Sequence, residues 1–232
     1  MPLLVKLARA AKPRPLTTRD CLGARLEVTA DQFPRRTAVQ FEGETLTWEE
    51  LNGLSNRYAG GFRQLGLARG DVVSVMMENR VAFLAVLLGL NKLGVTAALI
   101  NTNLTGRPLA HCIRTTGSML CVFGGDVLGA IEGVRPELEA EGLDRFLFVA
   151  DGDGDSPPDW AEDAVALTAE LSAENPPETG SVTLGDTALY LFTSGTTGLP
   201  KAAVVSNRRL PQTCASEFTM NVECQTRMPK NA

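Results

Sequence analysis

A single histidine, His111, stands in 232 residues, and the five cysteines (Cys21, Cys112, Cys121, Cys214 and Cys224) form no pair spaced two residues apart. A zinc site or a disulfide framework needs more ligands at shorter spacings, so the pattern fits a reducing, cytoplasmic compartment. Acidic residues outnumber basic ones, 27 to 22. The net charge is −5, and residues 151–186 hold ten acids with no Lys or Arg, leaving 17 acids against 22 bases elsewhere. That mild excess suits a small anionic ligand such as a nucleotide and is too weak for nucleic acid. No secretory leader is expected from Met1 to Ala11, because Lys6 and Arg9 break its apolar run. The same stretch gathers Leu3, Leu4, Leu7 and Ala11 on one helical face, which suits either peripheral membrane contact or an ordinary surface helix. A membrane span is lacking too. Val81 to Ile100 carries one charge, Lys92, but Asn91, Lys92 and Gly94 end a helix in its middle and Val95 restarts as a strand.

What the chain does have is enough apolar content, 44%, for a sizeable core, and a regular rhythm. After an entry segment over 1–36 that opens with Pro13 and Pro15, a hairpin is predicted from Thr37 to Phe41 and Glu44 to Leu46 around Glu42-Gly43. Thr47 and Glu50 form a capping box, with Leu46 and Leu51 as the hydrophobic staple. Trp48, Leu51, Ser55, Tyr58, Ala59, Phe62 and Leu65 then recur at helical spacing up to Gly66, which makes Trp48 and Tyr58 core residues rather than ligand contacts. Apolar runs at Val72–Met77, Val95–Ile100, Met119–Phe123 and Phe146–Ala150 alternate with helical stretches near Asn79–Leu93, Arg107–Thr116 and Val127–Ala140. Strands apolar at nearly every position, separated by helices, predict an α/β fold whose mainly parallel sheet is covered by helices on both faces.

Three stretches invite over-reading. Asp151, Asp153, Asp155, Asp159 and Glu162 fall on ligand positions of a calcium loop, but Ser156 replaces the obligatory glycine and Pro157-Pro158 follow. Residues 151–186, closed by Pro176-Pro177, read as a solvated, mobile excursion. His111 has no acid assignable as its orienting partner and reads as structural. Residues 208–232 show neither helix nor strand period and read as an atypical tail, foreign to the preceding domain or disordered.

The chemistry concentrates at Leu189–Ala203, an apolar strand from Thr187 to Phe192 running into Thr193-Ser-Gly-Thr-Thr-Gly-Leu-Pro-Lys201. Gly195 and Gly198 allow close backbone approach, Ser194, Thr196 and Thr197 bring hydroxyls beside loop N–H groups, and Lys201 adds a point charge. Such a loop suits phosphate. It is not the common P-loop, which needs four residues between its glycines and a hydroxyl after the lysine, where Ala202 stands. At the end of its strand, the loop would sit beyond the carboxyl edge of the sheet, where ligands of such folds bind.

This string resembles the phosphate-binding signature of the adenylate-forming superfamily, which includes acyl-CoA synthetases, luciferases and peptide-synthetase adenylation domains. With Asn101-Thr-Asn-Leu and Leu109-Ala-His-Cys, it is most similar to the fatty acid transport protein, or very-long-chain acyl-CoA synthetase, branch. The resemblance implies a partial N-terminal lobe over 37–207, with Thr193, Ser194, Gly195, Thr196, Thr197, Gly198 and Lys201 binding ATP or AMP. It implies an acid–thiol ligase that turns fatty acid, ATP and coenzyme A into acyl-CoA, AMP and pyrophosphate through an acyl-adenylate. The family's magnesium-binding glutamate, ribose-binding aspartate and mobile-domain lysine have no match in Val204–Ala232, so catalytic residues and the magnesium ligand are expected outside this chain, which would be inactive alone. Many relatives carry histidine after the serine that follows the signature, where this chain has Asn207. Two alternatives stay open: a non-catalytic nucleotide-binding fragment that depends on a partner, and a ligase for a different carboxylate.

Overall fold

The computed structural model describes residues 14–150, 152, 154–193 and 199–210. Nine strands and six α-helices follow one another among them. The chain enters through α1, Leu22–Gln32, whose Leu26 and Ala30 are buried one turn apart. A hairpin of β1, Thr37–Phe41, and β2, Glu44–Thr47, turns at Glu42 and Gly43, both at positive φ. Helix α2, Trp48–Gln64, then starts as the sequence predicts: Thr47 Oγ1 accepts from the Glu50 N–H, and Glu50 reaches back to the Thr47 N–H at 2.8 Å. Trp48 and Tyr58 are core residues as expected.

Next come β3 (Val72–Met76), α3 (Val81–Leu93), β4 (Thr96–Leu99), α4 (Gly106–Thr115), β5 (Leu120–Gly124), α5 (Leu128–Ala140) and β6 (Phe146–Val149). Gly94 ends α3 in the left-handed conformation at φ 71°, which is why Val81–Ile100 folds as a helix and a strand. Among the described residues no helix is long and apolar enough to cross a membrane. The chain closes with β7 (Glu162–Asp163), α6 (Ala164–Thr168), β8 (Thr187–Thr193) and β9 (Lys201–Ser206). The main sheet runs β7-β6-β5-β3-β4-β8-β9, parallel throughout except for β9, which is antiparallel to β8.

Side chains alternate across this sheet with period two. Val73, Val75, Leu120, Val122, Leu147 and Val149 face a core closed by α1, α2, α3 and α6. Met76, Cys121, Phe123, Phe146 and Phe148 face a second core closed by α4 and α5. The two layers account for the uninterrupted apolar runs in the sequence.

Three stretches differ from the sequence-based expectation. The entry segment carries α1, which the sequence reading passed over. The acidic stretch is not simply a solvated loop: Asp163 caps α6 through the Val165 N–H at 2.9 Å, and Trp160 stacks on Phe123 with ring centroids 5.3 Å apart. Ala164, Val182 and Leu184 of the same stretch are buried. Its charges point outward while its apolar residues reach inward, a division that net composition conceals. Thirdly, β9 was unforeseen, although Ala202-Ala-Val-Val205 contains two adjacent β-branched residues of the type that favours strands. Of the calcium-like positions, Asp151 and Asp153 lie outside the described residues, as do Met1–Lys12 and residues 211–232.

Candidate functional site

Strand β8 joins the sheet beside β4, with Ala97, Ala98 and Leu99 opposite Leu189, Tyr190 and Leu191. Its carboxyl end therefore emerges at the same edge as the carboxyl ends of β3, β4, β5 and β6. In open α/β sheets this edge receives ligands, because loops leaving parallel strands there can converge without crossing the core. Thr193 is the last residue of β8 and pairs in register with Lys201, the first of β9. The glycine- and hydroxyl-rich string is thus the connection of a hairpin whose stem is described on both sides. Ser194, Gly195, Thr196, Thr197 and Gly198 themselves lie outside the described residues.

Both stem residues are exposed. Thr193 Oγ1 donates to the Lys201 carbonyl at 3.5 Å, a long bond across the mouth of the hairpin. On the far side, His111 of α4 reaches the Pro200 carbonyl, with Nε2 3.2 Å from the oxygen. Proline lacks an N–H, so residue 200 cannot donate to a strand ladder, and its carbonyl is fixed from outside the hairpin instead. Lys201 thus enters the structure as the first residue of a strand, presenting its ammonium group at the exposed rim.

The neighbouring strand ends are cross-braced. Thr102, in the Asn101-Thr-Asn-Leu turn after β4, donates its hydroxyl to Glu78 Oε1 at 2.6 Å, beyond the end of β3. The Asn103 N–H donates to Asn101 Oδ1 at 2.9 Å, closing an Asx turn. Asp126, just after β5, accepts from the Glu78 N–H at 2.9 Å and pairs with Arg80. Sequence reading singled out Asn101–Leu104 only as a resemblance and missed the Glu78–Arg80–Asp126 brace. Asp126 lies beyond a different strand from Glu78 and Arg80 and becomes their neighbour only through the topology.

Chemically, the arrangement offers an exposed rim carrying the Lys201 ammonium group and the Thr193 hydroxyl at the stem of the hairpin, held on the sheet. Among the described residues no three His, Cys, Asp or Glu side chains come together as a metal site. Asn207, where the resemblance leads one to expect histidine, is buried. Its side chain accepts from Asn91 at 2.8 Å and donates to the Thr183 carbonyl at 3.0 Å.

Comparison with known proteins gives a consistent neighbourhood. The sequence profile of the AMP-binding enzyme family matches residues 26–229. Long-chain fatty acid transport protein 1 of Bos taurus is 40% identical over 192 residues, which cover 79% of this chain and 28% of that protein. The crystal structure of the anthranilate CoA ligase AuaEII in complex with anthranoyl-AMP superimposes with a TM-score of 0.75 at 20% identity, over 84% of this chain and 36% of the other. A Mycobacterium tuberculosis fatty acyl CoA synthetase superimposes with a TM-score of 0.67 at 25% identity, over 81% of this chain and 34% of the other.

Proposed function

Since the chain belongs to the AMP-binding enzyme family, we propose that it is the nucleotide-gripping part of an ATP-dependent fatty-acyl-CoA ligase. In that reaction a fatty carboxylate oxygen attacks the α-phosphorus of ATP, and the bond to pyrophosphate breaks. The thiol of coenzyme A then attacks the acyl carbon and AMP leaves. The pieces carried here would serve the first step. Ser194, Thr196, Thr197 and the neighbouring N–H groups would hold the β- and γ-phosphates, Thr193 and Lys201 would frame them, and the Lys201 charge would offset that of the triphosphate.

The observation that carries this reading is the register of Thr193 with Lys201 at the carboxyl edge of the sheet, which makes the signature string the tip of a hairpin beside the converging strand ends. The similarity to a long-chain fatty acid transport protein and to a fatty acyl CoA synthetase supports the fatty acid as substrate. The chain spans only 28% of the length of the first of these, so acyl selection and the thiol step are assigned to no residue here.

Titration of the chain with ATP tests the reading. Measurable uptake that Lys201→Ala weakens about tenfold supports it, since a charge-assisted contact is worth roughly 1.5–3 kcal/mol. Heatless titration, with no competition by AMP, would sink it. In a coupled AMP-release assay with fatty acid, ATP, magnesium and coenzyme A, the chain alone is expected to turn over slowly or not at all.

A second reading, a nucleotide-binding piece completed by a partner, is favoured by the β8–β9 pair. Leu191 and Val204 there are 40% and 53% exposed, and among the described residues β9 is the last strand of its sheet. ATP uptake without AMP release on any fatty acid is its signature.

A further inference from the structure

Helix α4 is locked by the burial of Leu109, Ala110, Cys112 and Ile113 against β5 and its neighbours. His111 stands between these anchors on the flank that meets the hairpin, with Nε2 3.2 Å from the Pro200 carbonyl oxygen; the Thr115 hydroxyl lies 3.4 Å from Nε2 and 3.5 Å from Nδ1 and favours neither nitrogen. Only a ring N–H can serve a carbonyl, so the contact with Pro200 puts the proton on Nε2. The carbonyl of Pro200 and the N–H of Lys201 belong to one rigid peptide plane. Whatever fixes the first orients the second, and with it the start of β9.

We infer that His111 is a positioning residue for the nucleotide loop: by holding the Pro200 carbonyl it sets the peptide plane from which Lys201 departs, and so the aim of the lysine. The inference rests on the nucleotide reading above for its purpose, but the tether itself does not. Thr193 Oγ1 supplies only a long bond on the opposite side of the stem, so beyond the β8–β9 backbone pairing the shorter side-chain hold on the mouth comes from α4. The sequence offered no acid to make His111 a catalytic base, and the geometry needs none: the imidazole acts as a donor of fixed direction.

Two variants of the full chain separate a tether from a filler. His111→Phe keeps the ring and removes the donor, whereas His111→Gln restores an N–H of similar reach. Without nucleotide, amide hydrogen exchange at Lys201 and Ala202 is expected to quicken several-fold in His111→Phe and to return toward the original rate in His111→Gln, with buried β5 unchanged. Equal exchange in His111→Phe overturns the inference, and so does a loss of protection that extends to β5. In ATP titrations His111→Phe should weaken binding about fivefold, the effect of losing one modest hydrogen bond. Unweakened binding alongside faster exchange also overturns the positioning role. If the unmodified chain takes up no ATP, the nucleotide reading falls and the exchange rates alone decide the tether.

Discussion

Asn91 Nδ2 donates to Asn207 Oδ1 over 2.8 Å, joining α3 to the turn after β9 across 116 residues of sequence. Asn91 Oδ1 in turn accepts from the Gly23 N–H at 3.0 Å, and the Asn207 N–H donates to the Asp186 carbonyl at 3.0 Å. Two buried amides thus tie the entry helix, the central helix and both strands of the loop hairpin together. Replacing Asn207 with alanine strands the Asn91 amide where water cannot easily reach, while the Thr183 carbonyl keeps the Asp186 N–H at 3.2 Å. An orphaned group costs about 1–3 kcal/mol, so Asn207→Ala should lower the unfolding free energy by about 1–3 kcal/mol in a urea titration. A loss under about 0.5 kcal/mol would mean that the network closes around water instead.

How much of this was legible beforehand follows from the range of the forces involved. The capping box at Thr47 and the glycine stop at Gly94 are local, satisfied within a few residues, and both could be read from sequence. The sheet was legible because strands buried on both faces need continuous apolar runs. The packed acidic stretch was hidden, since Trp160, Val182 and Leu184 are isolated apolar residues among charges and find their partners only in three dimensions. At the site, Thr193 and Lys201 were named from the signature, but their pairing depends on β9, and the tether from His111 links residues 89 positions apart. No periodicity reports a contact of that kind.

Gly89 marks where α3 crosses α2 most closely. A Cβ built there would lie 2.9 Å from the Ser55 carbonyl oxygen and 2.9 Å from Tyr58 Cβ, closer than real side chains approach. Two effects oppose each other in Gly89→Ala. Alanine gains about 1 kcal/mol in helix propensity, while forcing the helices apart costs about 1–3 kcal/mol and disturbs the largest shared core. Because the obstacles include backbone and a Cβ, not the end of a flexible chain, strain should win. A net loss of up to about 2 kcal/mol is expected by chemical denaturation, and a stabilised variant would show that the helices can slide.

Lys92 is a fully buried ammonium whose Nζ donates to Glu27 Oε1 at 2.7 Å and to Asn52 Oδ1 at 2.8 Å. Burial pushes its pKa down, and the Glu27 hydrogen bond and charge only partly offset that. Lys92→Met removes the charge while keeping the stem that packs against Gly23. Glu27 retains some access to water, its side chain being 19% exposed, so the cost should be about 2 kcal/mol, below that of a wholly buried pair. Combining Lys92→Met with Glu27→Gln in a double-mutant cycle should reveal a coupling of about 1 kcal/mol or more. Additive losses would assign the role of Lys92 to packing alone.

The alkaline limb of stability should be set by groups that burial keeps protonated, the Cys21 and Cys112 thiols among them and Cys121 and Tyr58 foremost. Burial between the two helical layers pushes the Cys121 thiol up to about 12, and burial, reinforced by the negative charge of Asp163, pushes the Tyr58 phenol up to about 12. In the unfolded chain these groups release their protons near their ordinary values, about 8.5 and 10. Between those values and 12 the folded state therefore binds more protons than the unfolded one, and stability falls as pH rises, by about 1.4 kcal/mol per unit for each group fully in its window. Lys92 works the other way: with its folded pKa depressed, it adds stability as pH climbs toward the ordinary lysine value. Cys121 begins to act first, near pH 9, and with Tyr58 it outweighs the single lysine. Cys121→Ala should thus be less stable than the parent at pH 7, having lost a packed sulfur, yet the two unfolding curves should converge above pH 9. Urea titrations under reducing conditions at half-unit steps from pH 7 to 11 measure this directly, and a constant offset across that range would show that the thiol ionises in the folded chain at its ordinary pH.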